Sequence, residues 1–546
     1  MATLLFPGRH LVHTRFQEQY LEDLFKHPPR KLDKPEETVA LDQIVFAITS
    51  CNQENSRYNP IPFHVRAIGV DRFAQQFRSL GIEYRIVGIP HYGHTSMFVE
   101  NLLKEIKDQT EGNLILTPAN TVVMCSTTEL MEYYVHAGFT HILPAELKSF
   151  NPASYHCQTP LKVLQSFAES SISWQDDRSL QQALSSATLS LWHDFPEIPA
   201  RIRRLYQDPL LTDDGSLTKT RNYSVYAQQM GHQETINIKY DDVKKAIKPG
   251  RIVDEGCADG ALLAKIAQDY PDSDLLGIEI TGEFIARAKE RQRAGEFGGS
   301  YVHFHQRNLM DNIFEPGSID TAICNSTMHE LWSYGEGEKT VLHYLQRKFQ
   351  QLRQGGRLII RDVVGPQNKQ QEIYLWCNPK DGDSEEDYLD FPESKDLAQH
   401  LEKLSTYARF PHFMQDFLAH QRDSSQRDTP VTFNERKMGA KKYYRLPLKD
   451  AVEFMTHKDY VENWKSEMHE EFAFWSFSEW KKALQGVGFS IMENPNHPES
   501  SSRVYTNPWI AQQRWKGKVE LYQLEGTRMK LIEYPPTTMI LVGEKR

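Results

Sequence analysis

The chain has 546 residues, of which 39% are hydrophobic and 25% charged, and its formal net charge is −10. This length predicts at least two hydrophobic cores. The 6 cysteines form no CxxC pair, which argues against a disulfide framework or a zinc site and favours reduced thiols in the cytoplasm. The negative charge does not favour a broad nucleic-acid surface, and no apolar run or signal-peptide pattern indicates a membrane partner.

Apolar runs and helical patterns alternate over residues 1–190. The runs include Ala2–Phe6, Thr38–Ser50 and Tyr84–Ile89, and Phe98–Lys107 has its apolar residues on one helical face. Strands that alternate with helices are typical of a parallel α/β domain. We therefore expect residues 1–190 to form a Rossmann-like domain.

Three segments of this domain suggest a nucleotide site. They are GRHLVHTRF at residues 8–16, SCNQENSRYNPIPFHVR at 50–66 and CQTPLKVL at 157–164. Together they resemble the archaeal-type nicotinamide-nucleotide adenylyltransferases of the HxGH nucleotidyltransferase superfamily. The nucleotide-binding residues that the resemblance implies are Gly8, Arg9, His13, Asn59 and Lys162.

The first domain also departs from that family at two positions. Phe16 stands where the second histidine of the HxGH motif is expected, and Lys162 replaces a phosphate-binding arginine. Paired imidazoles at a helix start stabilise charge on the transferred phosphoryl oxygens, so the loss of one should slow transfer by orders of magnitude. Three interpretations stay open: adenylyl transfer, nucleotide binding without transfer, and a scaffold.

Residues 191–225 are rich in proline and acidic side chains and predict a linker. A short helix is expected within it at Ala200–Tyr206. Tyr223 and Tyr226 precede the second domain and are candidates for a lid over its ligand, with surface packing as the alternative.

The segment Arg251–Gly260, RIVDEGCADG, predicts a strand, a tight glycine turn and the start of a helix. Such a turn lets backbone N–H groups approach a ligand closely. The next apolar run, Asp274–Ile280, carries Glu279 about 20 residues beyond the glycines, where a carboxylate reaches a ribose. No lysine follows the glycines, so the pattern favours a nucleoside over a triphosphate.

Further motifs follow in order: HQRNL at 305–309, DTAICNSTMHE at 320–330 and LRQGGRLIIRDVV at 352–364. With VDEGCADG they resemble the class I S-adenosylmethionine-dependent methyltransferases, with Ala258 in place of the usual central glycine. The resemblance implies a domain over 226–546 with a seven-stranded Rossmann-like sheet and S-adenosylmethionine as cofactor. The cofactor-binding residues that it implies are Asp254, Glu255, Gly256, Gly260, Glu279, Ile280, Asn308 and Asn325.

His329 and Glu330 follow the predicted fourth strand of this sheet. Ligands of open parallel sheets lie outside the carboxyl ends of the strands, so these two side chains are expected to face the methyl acceptor. They are the candidate catalytic residues, because either could orient the acceptor or take its proton. The alternative is that His329 packs or caps the following helix.

Residues 367–471 are too many for an ordinary connection and predict a large, mostly helical insertion that caps the acceptor site. Its basic segment Arg436–Arg445 could meet an anionic substrate or form a solvated face. A second Met-His-Glu triplet occurs at residues 468–470. Two His–Glu pairs could in principle bind one metal ion, but nothing else in the sequence supports this, and we expect no metal site. After the insertion, Val519–Leu524 and Thr538–Val542 are expected to complete the antiparallel end of the sheet.

The sequence thus predicts an S-adenosylmethionine-dependent methyltransferase that acts on an O or N nucleophile of a small molecule, which the first domain suggests is nucleotide-like. Three alternatives remain: a bifunctional nucleotidyltransferase and methyltransferase, an RNA or protein methyltransferase, and a non-catalytic nucleotide-sensing scaffold. Nucleic acid is not a favoured partner, and no membrane partner is expected.

Overall fold

The computed structural model describes residues 2–27, 39–92, 96–125, 127–143, 159–208, 211–213, 215, 233–311, 313–384, 394–423, 433–438, 441–494 and 496–546. Tyr223 and Tyr226, the candidate lid residues, lie outside these ranges. The chain divides into two compact units, Met1–Ser216 and Leu217–Arg546. Among the described helices, none combines the length and apolar character that crossing a membrane requires.

The described part of the first unit is built around a five-stranded parallel sheet in the order β3-β2-β1-β4-β5. Its strands are β1 (Ala2–Gly8), β2 (Leu41–Thr49), β3 (Glu83–Ile89), β4 (Thr121–Met124) and β5 (Ile142–Leu143). Its helices are α1 (Arg15–Lys26), α2 (Phe63–Gln75), α3 (Phe98–Gln109), α4 (Thr128–His136), α5 (Pro160–Glu169), α6 (Arg178–Ala183), α7 (Ser186–Asp194) and α8 (Glu197–Gln207). The predicted Rossmann-like α/β architecture is confirmed.

The first unit extends past residue 190, where we expected a linker to begin. Helix α8 buries Ile198, Ile202 and Leu205 in this unit, because its apolar residues recur at helical spacing. Arg201 Nε also donates to the carbonyl of Pro60 at 3.0 Å. Residues 197–207 therefore belong to the first core.

The described strands of the second unit form two sheets. They are β6 (Arg251–Glu255), β7 (Asp274–Glu279), β8 (Tyr301–Gln306), β9 (Ile319–Asn325), β10 (Leu352–Asp362), β11 (Glu372–Cys377), β12 (Asn434–Met438), β13 (Lys441–Pro447), β14 (Phe489–Ile491), β15 (Arg503–Tyr505), β16 (Val519–Glu525), β17 (Arg528–Ile532) and β18 (Thr538–Lys545). The helices are α9 (Gln233–Val243), α10 (Ala261–Asp269), α11 (Gly282–Arg293), α12 (Met328–Tyr334), α13 (Glu338–Gln351), α14 (Ser394–Lys403), α15 (Thr406–Asp423), α16 (Leu448–His457), α17 (Trp464–Glu467) and α18 (Phe477–Val487).

The central sheet has the order β14-β18-β10-β9-β6-β7-β8, and β15 also pairs with β18. Strands β8, β7, β6, β9 and β10 are parallel, whereas β18 runs antiparallel to β10 and to β14. β6, β7 and β9 are mostly buried along their length, as strands in the interior of a parallel sheet are, whereas the edge strand β8 alternates between buried and exposed residues. The carboxyl ends of β6, β7, β9 and β10 therefore meet along one edge.

The insertion has its own sheet, which corrects one prediction. Strands β12, β13 and β11 of the insertion pair with β16 and β17 in an antiparallel sheet of the described residues, in the order β12-β13-β11-β16-β17. Val519–Leu524 lies in β16, where Tyr522 pairs with Tyr374, so it does not complete the central sheet. The alternating side chains of Val519–Leu524 correctly indicated a strand. The strand with which it pairs could not be predicted in the same way, because the pairing depends on packing around a separate core that includes Phe410, Phe454 and Trp515.

A buried ion pair joins the central sheet to α13. Glu255 is 1% exposed and accepts hydrogen bonds from Lys348 Nζ and Tyr344 Oη, and Lys348 is 2% exposed. Lys348 Nζ also donates to Gln351 Oε1 at 2.7 Å. The cost of burying two charges offsets much of their attraction, so the ion pair adds little net stability to the core. Removal of only one partner would be strongly destabilising, because it would leave the other charge buried alone.

Lys348→Met should lower the free energy of unfolding of the second unit by about 3–5 kcal/mol, because it leaves the Glu255 carboxylate buried without its counter-charge. Urea denaturation measures this change. The matched double variant Glu255→Leu/Lys348→Met removes both charges and should recover most of the loss. Equal losses in the single and double variants would contradict the ion-pair assignment.

Candidate active site

The glycine turn after β6 holds an unusual backbone. Gly256, Ala258 and Gly260 have φ values of +77°, +44° and +79°. A Cβ on Gly256 would collide with Thr327 Oγ1, and one on Gly260 would lie 2.9 Å from Phe304 Cζ. Both positions therefore require glycine, whereas Ala258 adopts the left-handed conformation at a cost of about 1 kcal/mol.

Glu279, at the end of β7, fastens this turn to the neighbouring strand. Its Oε2 accepts from the Ala258 N–H at 3.1 Å, and its Oε1 accepts from the N–H groups of Ile280 and Thr281 at 2.8 and 2.9 Å. Burial raises the pKa of Glu279 to about 7, against the lowering effect of the Thr281 N–H. The backbone N–H of Ile280 thus belongs to the same network, and its predicted contact with the cofactor stays a prediction.

Asp254 is the buried acid at this edge whose hydrogen bonding is incomplete. It is 1% exposed, and among the described residues neither carboxylate oxygen accepts a hydrogen bond. Burial raises its pKa to about 7, although the Lys239 ammonium lowers it. A buried carboxylate without donors is costly, so this position is suited to a ligand that brings N–H groups or a positive charge.

The remaining predicted cofactor residues divide into two groups. Asn325 ends β9 with a buried Nδ2 that has no hydrogen-bond partner among the described residues, and Asn308 Oδ1 accepts from the Met310 N–H at 2.9 Å. Asn308 lies two residues after β8, and Asp254 lies near the end of β6. Glu255 is the last residue of β6, but its side chain faces the side of the sheet opposite to that of Asp254, and its carboxylate bonds Lys348.

His329 and Asp362 form a buried pair beside this edge. His329 Nδ1 lies 2.7 Å from Asp362 Oδ1, and Asp362 also accepts from the N–H groups of Thr327, Met328 and Val363 at 3.1, 2.6 and 2.7 Å. Burial lowers the pKa of His329, but the Asp362 and Glu470 carboxylates raise it to about 9. Asp362 fixes the orientation of the His329 imidazole. The sequence analysis did not single out Asp362, although an acidic residue at the end of the predicted fifth strand indicates a residue of the site.

The segment that follows α17 closes the other side of His329. Glu470 Oε2 lies 3.5 Å from His329 Nε2, and Tyr334 Oη donates to Glu470 Oε1 at 3.3 Å. Phe472 contacts the His329 ring edge-on at 4.9 Å and stacks on His457 at 4.0 Å. The cap thus places its own carboxylate and an aromatic ring against α12.

One buried carboxylate holds this cap segment in place. Glu453 on α16 is 0% exposed, and it accepts from the N–H groups of Phe472 and Ala473 at 3.0 and 2.8 Å. Burial raises the pKa of Glu453 to about 7. Trp332 Nε1 also donates to Glu471 Oε2 at 3.0 Å, so α12 and the cap share hydrogen bonds.

The three side chains His329, Glu330 and Glu470 come close together. Their potential metal-ligand atoms all lie within 4.8 Å of one another, with His329 and Glu470 buried and Glu330 half-buried. Glu470, from the second Met-His-Glu triplet, therefore lies close to His329 and Glu330 of the first triplet. His469 of the second triplet does not join them, because its Nδ1 bonds the carbonyl of Lys465 at 2.9 Å.

Gly8, Arg9 and His13, predicted for the nucleotide site of the first unit, lie at or just after the end of β1. His13 is 2% exposed and stacks on Phe73 at 4.1 Å, and its Nε2 is 3.4 Å from Nδ1 of His10. Burial lowers the pKa of His13 well below its ordinary value and that of His10 to about 4. Both imidazoles are neutral at pH 7 and do not supply the cations that phosphoryl transfer needs.

The other predicted residues of the first unit are placed as follows. Gly8 ends β1, and Arg9 Nη1 donates to the carbonyl of Tyr58 at 2.8 Å. Asn59 is 3% exposed, and its Oδ1 accepts no hydrogen bond in the described part of the chain. Lys162 is exposed on α5.

Comparison with known proteins identifies the second unit. Residues 248–434 match the family model described as a methyltransferase domain. The chain is 29% identical over 128 residues to the ribosomal RNA large subunit methyltransferase G of Shewanella oneidensis, a match that covers 23% of this chain and 32% of that protein. It is 34% identical over 82 residues to an uncharacterized protein of Synechococcus sp., covering 15% of this chain and 19% of that protein.

Among solved structures, an S-adenosylmethionine-dependent methyltransferase from Methanosarcina mazei matches 55% of this chain and 95% of its own, with 13% identity and a TM-score of 0.28. The matches to the two relatives from Shewanella oneidensis and Synechococcus sp. cover about a third or less of the length of those proteins. Residues 248–434 of the second unit thus carry a methyltransferase domain.

Asp362→Asn should reduce the free energy of unfolding by about 1.5–3 kcal/mol, because the carboxamide cannot accept from all three backbone N–H groups and the His329 ring at once. Chemical denaturation of the full chain measures the change. Asp272→Asn, at an exposed turn, is the matched control and should shift stability by less than about 0.5 kcal/mol. An Asp362→Asn variant as stable as the control would show that the carboxylate does not organise this edge.

Proposed function

We propose that the protein transfers the methyl group of S-adenosylmethionine to an oxygen or nitrogen of a small molecule enclosed by the cap. In this reaction the methyl group moves from the sulfonium to the acceptor, the cofactor leaves as a neutral thioether, and the acceptor loses one proton. The single observation that carries the proposal is Asp254, a buried carboxylate with both oxygens unpartnered among the described residues, beside the glycine turn.

The cofactor's charge distribution fits this edge. An ammonium group donates up to three hydrogen bonds, which the Asp254 carboxylate does not receive among the described residues, and its positive charge adds to that of Lys239. Glu279 already accepts three backbone bonds, yet a carboxylate has about four lone-pair sites and can accept from a ribose hydroxyl as well. Asn308 and the unpartnered Nδ2 of Asn325 are proposed to contact the rest of the nucleoside.

On the acceptor side, the carboxylates and the aromatic ring of the cap favour a small molecule. His329, Glu330, Glu470 and Phe472 lie together where α12 meets the segment that follows α17. Methyl transfer relies chiefly on proximity and alignment, which an enclosed site provides. His329 and Glu330 are proposed to position the acceptor, with Asp362 orienting His329.

An RNA acceptor is the second candidate, because one relative is named as a ribosomal RNA methyltransferase. The basic segment that would meet phosphates is the hairpin of β12 and β13. Its cations are partly engaged: Lys441 pairs with Glu520 at 3.1 Å, Arg445 pairs with Glu372 at 2.5 Å, and Lys442 donates to Tyr407 at 3.1 Å. Phosphate binding would have to displace these partners, which favours the small-molecule proposal.

For the first unit we propose nucleotide binding without transfer. Arg66 is 1% exposed, and its Nη groups donate to the carbonyls of Arg9, Thr49 and Ser50 at 2.8–3.0 Å. Asn59 keeps a buried acceptor without a partner among the described residues. The neutral His10 and His13 are proposed to be structural. A His13→Ala variant should therefore release as much pyrophosphate from ATP or CTP as the wild type does.

We also propose a cytoplasmic location.

The acceptor class is tested by incubating the protein with methyl-labelled S-adenosylmethionine and a cell extract, followed by separation by size. We expect label in the small-molecule fraction, and less of it with an Asp254→Asn variant at a limiting concentration of S-adenosylmethionine. Label confined to RNA, lost on RNase treatment and reduced by raised salt, would instead establish the second candidate.

The pKa of Asp254 generates a prediction on cofactor affinity. With a pKa near 7 the carboxyl is mostly protonated at pH 6 and ionised above neutrality, and only the ionised form attracts the ammonium. Affinity for S-adenosylmethionine should therefore rise about five- to tenfold between pH 6 and pH 7.5, measured by isothermal titration calorimetry. Asp254→Asn should weaken binding by about 1.5–3 kcal/mol and flatten this dependence.

Asp274→Asn is the matched control for this experiment, since Asp274 begins β7 at the opposite end of the sheet and pairs with Arg251. It should retain the full pH dependence. An affinity that is constant from pH 6 to pH 7.5 in the wild type would refute the role assigned to Asp254.

A further inference from the structure

We propose that His329, Glu330 and Glu470 form a binding site for one divalent metal ion on the acceptor side of the methyltransferase domain. Two of these residues belong to α12, and the third belongs to the cap. The donor atoms are one imidazole nitrogen and two carboxylate oxygens, within 4.8 Å of one another. A metal there would join the cap to the central sheet.

The separation of the two buried donors fits a metal better than a direct hydrogen bond. His329 Nε2 and Glu470 Oε2 are 3.5 Å apart, whereas a charge-assisted N–H···O bond spans about 2.7–2.9 Å. Neighbouring ligand atoms around an ion with bonds of about 2.0–2.1 Å lie roughly 3.0–3.4 Å apart. Small side-chain movements would therefore bring both atoms into one coordination sphere.

The supporting contacts orient the donors. Asp362 holds His329 Nδ1 at 2.7 Å, so Nε2 is the ring atom directed at the cluster, and three backbone N–H groups hold Asp362. A carboxylate on the far nitrogen of a ligating histidine is the usual arrangement in metal sites. Tyr334 Oη donates to Glu470 Oε1 and directs that carboxylate in the same way.

The donor set indicates the class of ion. One imidazole with two carboxylates suits borderline ions such as Mn²⁺, Fe²⁺ or Zn²⁺, whereas Mg²⁺ and Ca²⁺ prefer oxygen alone. The Glu330 and Glu470 carboxylates offer two negative charges to an ion at this point, while Asp362 lies on the Nδ1 side of the His329 ring. The imidazole must give up its Nε2 proton when an ion binds. Three protein donors leave coordination positions for other ligands.

These open positions suggest the chemistry of the acceptor, an extension that rests on the proposed methyl transfer. A metal-bound hydroxyl loses its proton more readily, and the metal fixes its orientation. The acceptor is therefore inferred to present a hydroxyl oxygen, which takes the methyl group while its proton leaves to solvent. The metal site itself does not depend on this extension.

The test measures Mn²⁺ and Zn²⁺ binding to the tag-free full chain by equilibrium dialysis, without S-adenosylmethionine. We expect one ion per chain, with affinity at least tenfold weaker in Glu470→Gln and in His329→Gln. His469→Gln is the matched control, since His469 bonds the Lys465 carbonyl outside the cluster, and it should bind as the wild type does. Circular dichroism checks that each variant is folded.

A second measurement does not depend on any variant. Pulsed electron paramagnetic resonance of the wild type with one equivalent of Mn²⁺ should show coupling to an imidazole ¹⁴N. Absence of stoichiometric binding of either ion at about 1 mM, binding without ¹⁴N coupling, or binding that survives a His329→Gln/Glu330→Gln/Glu470→Gln variant would each overturn the site.

The extension to the acceptor has a separate outcome. If the ion binds as expected but its removal by a chelator leaves the rate of methyl transfer unchanged, the hydroxyl inference fails while the metal site stands. If no methyl transfer occurs under any condition, the proposed function fails, and the dialysis result still decides the metal site.

Discussion

Buried acidic and amide side chains at the ends of parallel strands set the constraint that organises the second unit. β6, β7, β9 and β10 place Asp254, Glu279, Asn325 and Asp362 at one edge of the sheet. Each buried polar group must find a partner or destabilise the fold. Asp362 is satisfied by three backbone N–H groups and a histidine, and Glu279 is satisfied by the glycine turn. Asp254 has no hydrogen-bond donor among the described residues, and we propose that a ligand supplies it.

This distribution separates residues that hold the site together from residues that await a ligand. Glu279 and Asp362 use backbone donors to fix loops whose conformation is otherwise strained, such as the left-handed Ala258 and Ser326. Asp254 cannot serve that purpose, because it makes no such bond among the described residues. The division is consistent with the proposal that one edge of the sheet supports a rigid turn and binds a cationic ligand.

Several of these features followed from the sequence. The glycine turn and the acid at Glu279 were predictable because they depend on local spacing. The order of the motifs resembled that of the class I methyltransferases, and this resemblance implied the parallel sheet and the methyltransferase domain. The sequence did not show to which face of the sheet Asp254 and Glu255 each point. Neighbouring strand residues point to opposite faces, but only the contact with Lys348 shows which face Glu255 occupies.

Features that join distant segments were not predictable. The cap sheet pairs β11 with β16, across more than a hundred residues, and a strand pattern does not state its partner. Glu470 reaches His329 through the same tertiary packing. The basic hairpin was visible in the sequence, whereas its pairing with Glu372 and Glu520 depended on that sheet.

The central claim is that this edge binds S-adenosylmethionine through Asp254 with its methyl group directed at the cap. A crystal structure with S-adenosylhomocysteine tests it most directly. The account predicts the ligand's ammonium within hydrogen-bond distance of the Asp254 carboxylate, its ribose at Glu279 and its sulfur facing the space bounded by His329 and Glu470. A ligand bound elsewhere, or one whose ammonium does not contact Asp254, would contradict the account.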